Sequence, residues 1–265
     1  MNRYLRNTLL GAAALSLSTV VTAEVQTRTM TYSVQGQEHT GYMAWDDSIT
    51  GQRPGILVVH EWWGHDEFSR NQAENLAEEG YTALALDMYG EGKHADHPDK
   101  AQAFMEQANS NMELMQARFR TAMKRLQDHD TVNPSHIAAQ GYCFGGGVVL
   151  NMARLGMDLD GVVSFHGTLE SPIEAEAGNV EAAVRVYTGG GDQFVPSDQV
   201  ASFVQEMHNA DVDYAVRSFP GVPHSFMNPE ADAYAANFDL PVGYDEHAAN
   251  KAWQGALRFY DGLFD

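Results

Sequence analysis

The sequence predicts an α/β domain in which helices cover both faces of a mostly parallel central sheet. Short apolar runs alternate along the chain with segments in which apolar residues recur at helical spacing. Strands buried on both faces form such continuous apolar runs, and helices between them are typical of parallel sheets. The chain of 265 residues is long enough for a large core, and no repeat or Pro- and Ser-rich linker divides it.

The predicted elements follow this alternation in order. The first two strands alternate as in an antiparallel pair, whereas the later ones are continuously apolar. Strands are predicted at residues 27–34, 40–45, 55–60, 81–86, 136–144, 161–167, 184–191 and 214–221. Helical spacing covers residues 66–79, 98–128, 146–155, 197–209 and 246–263. We interpret the methionines of segment 98–128 as core residues, because Met fills irregular gaps well.

Residues 1–23 have the pattern of a secretory signal peptide. Arg3 and Arg6 precede an apolar run, and Val21-Thr22-Ala23 matches a cleavage site with small residues. The run is short for a membrane span. We therefore expect a single mature domain at residues 24–265, located in the periplasm or outside the cell, with no stable membrane insertion after cleavage.

The charge balance restricts the partners. Lys and Arg total 16 against 36 Asp and Glu, which gives a formal net charge of −20. Binding to phosphate backbones needs clustered positive charge, so no nucleic-acid partner is expected. The same acidity repels anionic substrates at long range.

Cys143 is the single cysteine, so the chain cannot form an internal disulfide. The stretch GYCFG at residues 141–145 follows a predicted strand and opens a predicted helix. This G-x-C-x-G pattern matches a nucleophile elbow with Cys in place of Ser. At a helix N-terminus the dipole and free N–H groups favour a thiolate. A Gly-rich turn around a buried cysteine is the structural alternative.

Asp192 and His224 complete a candidate triad with Cys143. Asp192 follows the strand in VRVYTGGG, and His224 follows the next strand, in FPGVPHSF. Functional residues of parallel sheets gather at the carboxyl ends of strands, and nucleophile, acid and histidine stand here in the order found in α/β-hydrolases. Either residue alone would be unremarkable, but their order and context favour the triad.

The chain resembles the dienelactone hydrolase family of α/β-hydrolases over nearly all of the mature length. The motifs that carry the resemblance are HEWWG, LDMYG, GYCFGGG, GGGDQFVP and PHSF, in family order. The resemblance implies an α/β-hydrolase fold and a cysteine hydrolase of esters or lactones, with no metal or organic cofactor. It assigns the triad to Cys143, Asp192 and His224.

The resemblance also implies roles for the residues of the HEWWG motif. Glu61 would help to remove the thiol proton, and the backbone N–H groups of Trp62 and Phe144 would form the oxyanion hole. A buried carboxylate paired with an arginine is the alternative for Glu61. We interpret His60 as a strand-end residue that lines the site and His65 as an exposed loop residue. These histidines are five positions apart, roughly 500° around a helix, which argues against the H-E-x-x-H zinc motif.

A departure from the family pattern bears on the substrate. Family members that act on dienelactone carry two arginines that bind the substrate carboxylate, one after the D-x-Y strand end and one after HSF. Here Glu91 and Asn228 stand at those positions. Aromatic residues are predicted to line the same site: Trp62, Trp63, Tyr89, Phe144, Phe194 and Phe226. We therefore expect neutral esters or lactones as substrates rather than dicarboxylates.

Two functions from other classes remain open at this stage. A peroxide-sensing protein would also use an exposed cysteine of low pKa, but a single cysteine has no resolving partner, and Asp192 and His224 would be unexplained. A non-catalytic binding module on a hydrolase fold would be favoured by a missing triad member, and none is missing.

Overall fold

The computed structural model of the protein describes residues 25–265, and the predicted signal peptide at 1–23 lies outside the described residues. The strands are β1 (Val25–Val34), β2 (Gln37–Asp46), β3 (Arg53–Val59), β4 (Thr82–Leu86), β5 (Val132–Tyr142), β6 (Gly161–Phe165), β7 (Ala183–Gly189) and β8 (Tyr214–Phe219). The helices are α1 (Glu67–Glu78), α2 (Pro98–Asn109), α3 (Met112–Gln127), α4 (Phe144–Arg154), α5 (Ser197–Asn209), α6 (Ala231–Phe238) and α7 (Glu246–Phe264).

All eight strands form one sheet in the order β1-β2-β4-β3-β5-β6-β7-β8. β1 pairs with β2, and β2 with β4, in antiparallel register, whereas the pairs from β4 through β8 are parallel. The predicted fold class is confirmed. Because the parallel strands all run the same way, their carboxyl ends lie at one edge of the sheet, where β3, β5, β7 and β8 deliver the candidate residues.

Two apolar layers hold the helices against the sheet. Alternate residues of β3 face opposite sides: Leu57 and Val59 join the layer under α3, α4 and α5, while Ile56 and Val58 join the layer under α1 and α7. This alternation follows from the two-residue period of a strand. Since both faces are covered, the strand has no polar side chain over residues 56–59, as its apolar run predicts.

Two features of the helices differ from the predictions. Segment 98–128 is not one helix, because Asn111 interrupts it and accepts a hydrogen bond of 2.9 Å from the Leu114 N–H as the N-cap of α3. Helix α6 was not predicted, since its eight residues show no clear apolar stripe and follow Pro229 and Glu230. Within residues 25–265, no helix has the length and hydropathy needed to cross a membrane.

Candidate active site

Cys143 lies at the junction of β5 and α4, where the backbone turns sharply. Its φ of 53° and ψ of −115° are unusual for a residue with a side chain. A Cβ on Gly141 would lie 2.0 Å from the Gly145 carbonyl oxygen, and a Cβ on Gly145 would lie 2.3 Å from that of Val59. Only glycine fits at these two positions, and the backbone has the geometry of a nucleophile elbow.

Asp192 and His224 meet just beyond the ends of β7 and β8. The His224 Nδ1 donates to Asp192 Oδ2 at 2.7 Å, and both side chains are buried. Asp192 Oδ1 accepts hydrogen bonds from the backbone N–H groups of Phe194 at 2.8 Å and Val195 at 3.2 Å. The carboxylate is therefore fixed by the loop that follows β7, and it orients the imidazole in turn.

The structure brings His224 together with Cys143 as well as with Asp192. Burial acts to lower the pKa of His224, but the charge of Cys143 and the hydrogen bonds to Asp192 and Cys143 outweigh it. The net effect raises the pKa of His224 to about 10. At neutral pH this arrangement favours an imidazolium at His224, beside the sulfur of Cys143.

Glu61 is a fully buried carboxylate with two side-chain partners. Its Oε1 accepts from Ser225 Oγ at 3.0 Å, and its Oε2 accepts from Asn228 Nδ2 at 2.5 Å. Burial raises the pKa of Glu61 to about 7, although the hydrogen bond from Asn228 and the charge of His224 oppose the rise. Glu61 can therefore gain or lose a proton close to neutral pH.

His166 follows β6 and was not among the site residues predicted from the sequence. Its Nδ1 accepts a hydrogen bond of 3.2 Å from the Cys143 N–H and lies 4.0 Å from Glu61 Oε1. Its Nε2 is buried and has no hydrogen-bond partner within residues 25–265. Burial and the charge of His224 hold the pKa of His166 well below its usual value. The ring is thus neutral, with its proton on Nε2.

A cavity of about 350 Å³ opens over Cys143 and His224. Its lining residues are Trp62, Trp63, Met105, Asn109, Cys143, Phe144, Thr168, Phe194, Val195, His224, Ser225, Tyr234, Leu240 and Val242. None of them is Asp, Glu, Lys or Arg, and most are apolar or aromatic. Such a surface suits an uncharged organic group.

The two expected oxyanion-hole residues, Trp62 and Phe144, lie on the wall of this cavity. Over residues 25–265, neither backbone N–H donates a hydrogen bond to another protein group. Phe144 is the first residue of α4, so its N–H is one of the four that a helix leaves unpaired. Both donors are free to bind a developing negative charge.

Of the six aromatic residues predicted to line the substrate site, Trp62, Trp63, Phe144 and Phe194 line the cavity. Tyr89 and Phe226 do not, and neither do Glu91 and Asn228, which stand at the two arginine positions of the family. Tyr89 is buried behind the wall, where its hydroxyl donates to the Trp62 carbonyl at 3.0 Å. Phe226 packs against His166 and Phe219 in the interior. The loop after β4 turns Glu91 outward through a φ of 60°, and its carboxylate lies 3.3 Å from Lys93 Nζ. Asn228 faces Glu61.

His60, the first residue of HEWWG, and His65, which follows the motif, also differ from their predicted positions. His60 is buried behind the cavity wall, donates from Nδ1 to its neighbour's carbonyl at 2.6 Å and accepts from the Met88 N–H at 3.1 Å. His65 was expected to be exposed, but it is buried, with Nε2 3.1 Å from the Ala85 carbonyl oxygen. Both rings serve the packing of the loops around β3 and β4.

Several cavity residues were not predicted. Met105 and Asn109 come from α2, Tyr234 comes from α6, and Leu240 and Val242 come from the segment after α6. Tyr234 stacks on Trp63 with ring centroids 4.3 Å apart. Nothing in the local sequence marks these residues, because only the packing of α2 and α6 over the sheet edge brings them to the cavity. His166, by contrast, has a usable signal: it directly follows an apolar strand.

A mostly parallel sheet whose carboxyl edge carries a nucleophile elbow is the arrangement of the α/β-hydrolases, and this protein is one of them. Residues 40–263 match the family model for dienelactone hydrolases, so the chain belongs to the dienelactone hydrolase family. The family covers nearly the whole of the domain that the structure describes.

Individual relatives agree with this assignment. Protein usf of Aquifex pyrophilus is 31% identical over 212 residues, which cover 78% of this chain and 87% of that protein. A protein of Aquifex aeolicus (strain VF5), provisionally named carboxymethylenebutenolidase, is 29% identical over the same share of each chain. The crystal structure of a dienelactone hydrolase-like promiscuous phosphotriesterase from metagenomic libraries is 28% identical, with a TM-score of 0.86 over 91% of this chain and 99% of that one. The chain is a dienelactone hydrolase-like hydrolase of esters or lactones.

Proposed function

We propose that the protein hydrolyses neutral carboxylic esters or lactones through a triad of Cys143, His224 and Asp192. The observation that carries the proposal is the shared position of the sulfur and the imidazole on one apolar cavity, with Asp192 bonded to the far side of the ring. A cysteine, a histidine that can move its proton and a carboxylate that orients the histidine are the parts of covalent acyl transfer.

The proposed reaction begins with attack of the Cys143 thiolate on the substrate carbonyl carbon. The carbonyl oxygen takes the electron pair and binds the N–H groups of Trp62 and Phe144, each of which contributes on the order of 3 kcal/mol to the transition state. Collapse of this intermediate breaks the C–O bond and leaves a thioester. The His224 imidazolium gives its proton to the leaving alkoxide, and then takes one from the water that hydrolyses the thioester.

We propose that Glu61 is a second proton acceptor beneath the nucleophile. Its pKa of about 7 is suited to that role, because a base acts best when its pKa is near the working pH. The carboxylate does not line the cavity, and its bonds to Ser225 and Asn228 hold it in the interior. Proton transfer through Glu61 therefore requires a movement of its side chain from these partners toward the sulfur.

The lining of the cavity supports the preference for neutral substrates. A bound carboxylate would lose its hydration without meeting a Lys or Arg side chain, and such an uncompensated charge costs several kcal/mol. The aromatic walls formed by Trp62, Trp63 and Phe194 can accommodate short apolar acyl or aryl groups instead. Asn228 cannot replace a cationic residue here, because it is neutral and bonded to Glu61.

The triad is tested by Cys143→Ala, which should abolish ester hydrolysis and leave the unfolding temperature near that of the wild type. Iodoacetamide should inactivate the wild type with a single adduct, at Cys143, since the chain has no other cysteine. Substrate preference is tested by comparing kcat/KM for a neutral aryl ester with its carboxylate-bearing analogue. Retained turnover in Cys143→Ala would contradict the triad, and a preference for the anionic analogue would contradict the substrate class.

A further inference from the structure

A second cavity, of about 500 Å³, lies between β7, the edge strand β8 and helix α7. It shares no lining residue with the cavity over Cys143. Three arginines line it: Arg185 on β7, Arg217 on β8 and Arg258 on α7. We refer to it as the arginine cavity. The family assignment and the proposed reaction give it no role.

Strand register explains why these arginines converge. Arg217 pairs with Tyr187 across β7 and β8, and Arg185 precedes Tyr187 by two residues, so the three side chains point to the same face of the sheet. Helix α7 covers β7 on this face but leaves the edge strand open, and Arg217 is exposed there. Arg258 comes from the covering helix and faces the same opening.

The positive charge of this cavity is only partly compensated. Arg185 donates to both oxygens of Asp213, at 3.0 and 3.3 Å, and its guanidinium lies 4.6 Å from the ring centre of Phe259. Among residues 25–265, neither Arg217 nor Arg258 forms an ion pair, and Asp213 is the one carboxylate in the lining. This local excess of cations stands out in a chain with 16 Lys and Arg against 36 Asp and Glu.

The Tyr187 hydroxyl is a further group in this cavity without a partner. Tyr187 is only 7% exposed, and its hydroxyl forms no hydrogen bond with the residues from 25 to 265. Helix α7 passes close by: a Cβ on Gly255 would lie 2.4 Å from this oxygen. Burial raises the pKa of Tyr187, whereas the charges of Arg258, Arg185 and Arg217 oppose the rise, so all three guanidinium groups act on the phenol.

We propose that the arginine cavity is a binding site for a phosphate-type oxyanion carried on a small organic molecule. Arg217 and Arg258 would supply two unpaired guanidinium groups, whose planar sets of N–H donors match phosphate oxygens. The Tyr187 hydroxyl would donate a third hydrogen bond to the same oxyanion. The cavity is larger than a phosphate ion, and Phe259 and Leu263 provide apolar walls for the organic part.

The proposal is tested by titrating the full-length protein with inorganic phosphate and with phenyl phosphate, at constant ionic strength maintained with sodium chloride. The readouts are the unfolding temperature and isothermal titration calorimetry. Two variants are compared with the wild type. One carries both Arg217→Gln and Arg258→Gln, and the other carries Tyr187→Phe alone. A matched control is Arg28→Gln with Arg125→Gln, which removes the same charge from exposed positions outside the cavity.

We expect a saturable rise in unfolding temperature with phosphate in the wild type and in the control. The affinity should fall at least tenfold in the double arginine variant and severalfold in Tyr187→Phe, with ester hydrolysis unchanged in both. Tighter binding of phenyl phosphate than of inorganic phosphate supports a ligand in which the phosphate is carried on an organic group. An unfolding temperature that phosphate raises equally in all variants, or that chloride raises as much, overturns the proposal. The proposal is also overturned if the unfolding temperature rises with protein concentration alone, because the arginines would then serve self-association.

Discussion

At the level of single residues, the candidate site is controlled by which buried groups carry a charge. The rings of His166 and His224 lie 5.2 Å apart, and two adjacent imidazolium ions would repel each other strongly. Only His224 has Asp192 on its Nδ1, whereas His166 uses its Nδ1 to accept from the Cys143 N–H. The proton is therefore held by the ring that can reach the sulfur, and the other ring stays neutral.

This distribution of charge predicts the titration of His224. In the wild type its imidazolium should persist as the pH rises from neutral and be lost only near pH 10. In Cys143→Ala the largest favourable contribution is gone, so the ring should lose its proton at a clearly lower pH. Nitrogen chemical shifts of labelled histidine side chains would follow both titrations. Equal midpoints in the two proteins would show that Cys143 does not stabilise the imidazolium.

A second prediction at this level concerns Glu61 and its partner Asn228. If the Glu61 carboxylate helps to remove the thiol proton, alkylation of Cys143 by iodoacetamide should accelerate as the pH rises through about 7. The Asn228 hydrogen bond lowers the pKa of Glu61, so Asn228→Ala should move this inflection to higher pH. Ser225→Ala should move it in the same direction but less, because its contribution is smaller.

Glu61→Gln is the matched control for these variants. It keeps the size of the side chain, and its single amide oxygen can still accept from Asn228 while its NH2 group donates to the Ser225 hydroxyl oxygen, but it cannot take up a proton. The inflection near pH 7 should disappear, and acylation should slow more than deacylation. An unchanged alkylation profile in Glu61→Gln would restrict Glu61 to a structural role.

At the level of elements, the position of Cys143, the proposed nucleophile, depends on how closely α4 approaches β3. The Gly145 N–H donates to the His60 carbonyl at 3.1 Å, which joins the first turn of α4 to the end of β3. This contact brings Phe144 and Trp62, and hence their two free N–H groups, to the same side of Cys143. The glycine is thus needed for the proposed oxyanion hole as well as for the elbow.

Gly145→Ala should therefore damage both stability and activity. The new methyl group would meet the Val59 carbonyl oxygen at 2.3 Å, a backbone contact that cannot rotate away, so we expect a loss of more than about 2 kcal/mol. Gly262→Ala in α7 is the control, since its Cβ meets nothing within 4 Å. It should stabilise the protein by up to about 1 kcal/mol through helix propensity. Denaturant unfolding measures the free energy of unfolding of both variants. If Gly145→Ala leaves that free energy unchanged, α4 does not approach β3 as closely as described.

The elements also show how far sequence reasoning reaches. Cys143, Asp192 and His224 could be placed because each lies within a few residues of the end of an apolar strand, and strand ends of a parallel sheet share one edge. The break at Asn111 had only the weak signal of a capping residue inside a continuous apolar pattern. Glu91 was misplaced because a positive φ turns the loop outward, and no local pattern reveals such a turn at a glutamate. Met105 and Tyr234 reach the cavity only through tertiary packing.

At the level of the whole molecule, the net charge of −20 repels every approaching anionic substrate, whereas the cavity itself contains no Asp or Glu. Long-range repulsion and the local lack of a Lys or Arg side chain both disfavour anionic substrates, but they differ in their response to salt. Long-range repulsion is screened, since the Debye length falls from roughly 30 Å at 0.01 M to roughly 3 Å at 1 M salt. The cost of removing water from a carboxylate inside the cavity is not screened in this way.

Salt should therefore separate the two contributions. For a carboxylate-bearing ester, kcat/KM should rise several-fold between 0.01 and 1 M sodium chloride, because its encounter with the acidic surface is no longer repelled. For the matched neutral ester, kcat/KM should change little. The two substrates should still differ at 1 M salt, and that remaining difference measures the effect of a cavity lining without Lys or Arg. If the difference vanishes at high salt, the net charge alone sets the preference, and the proposed role of the cavity lining is wrong.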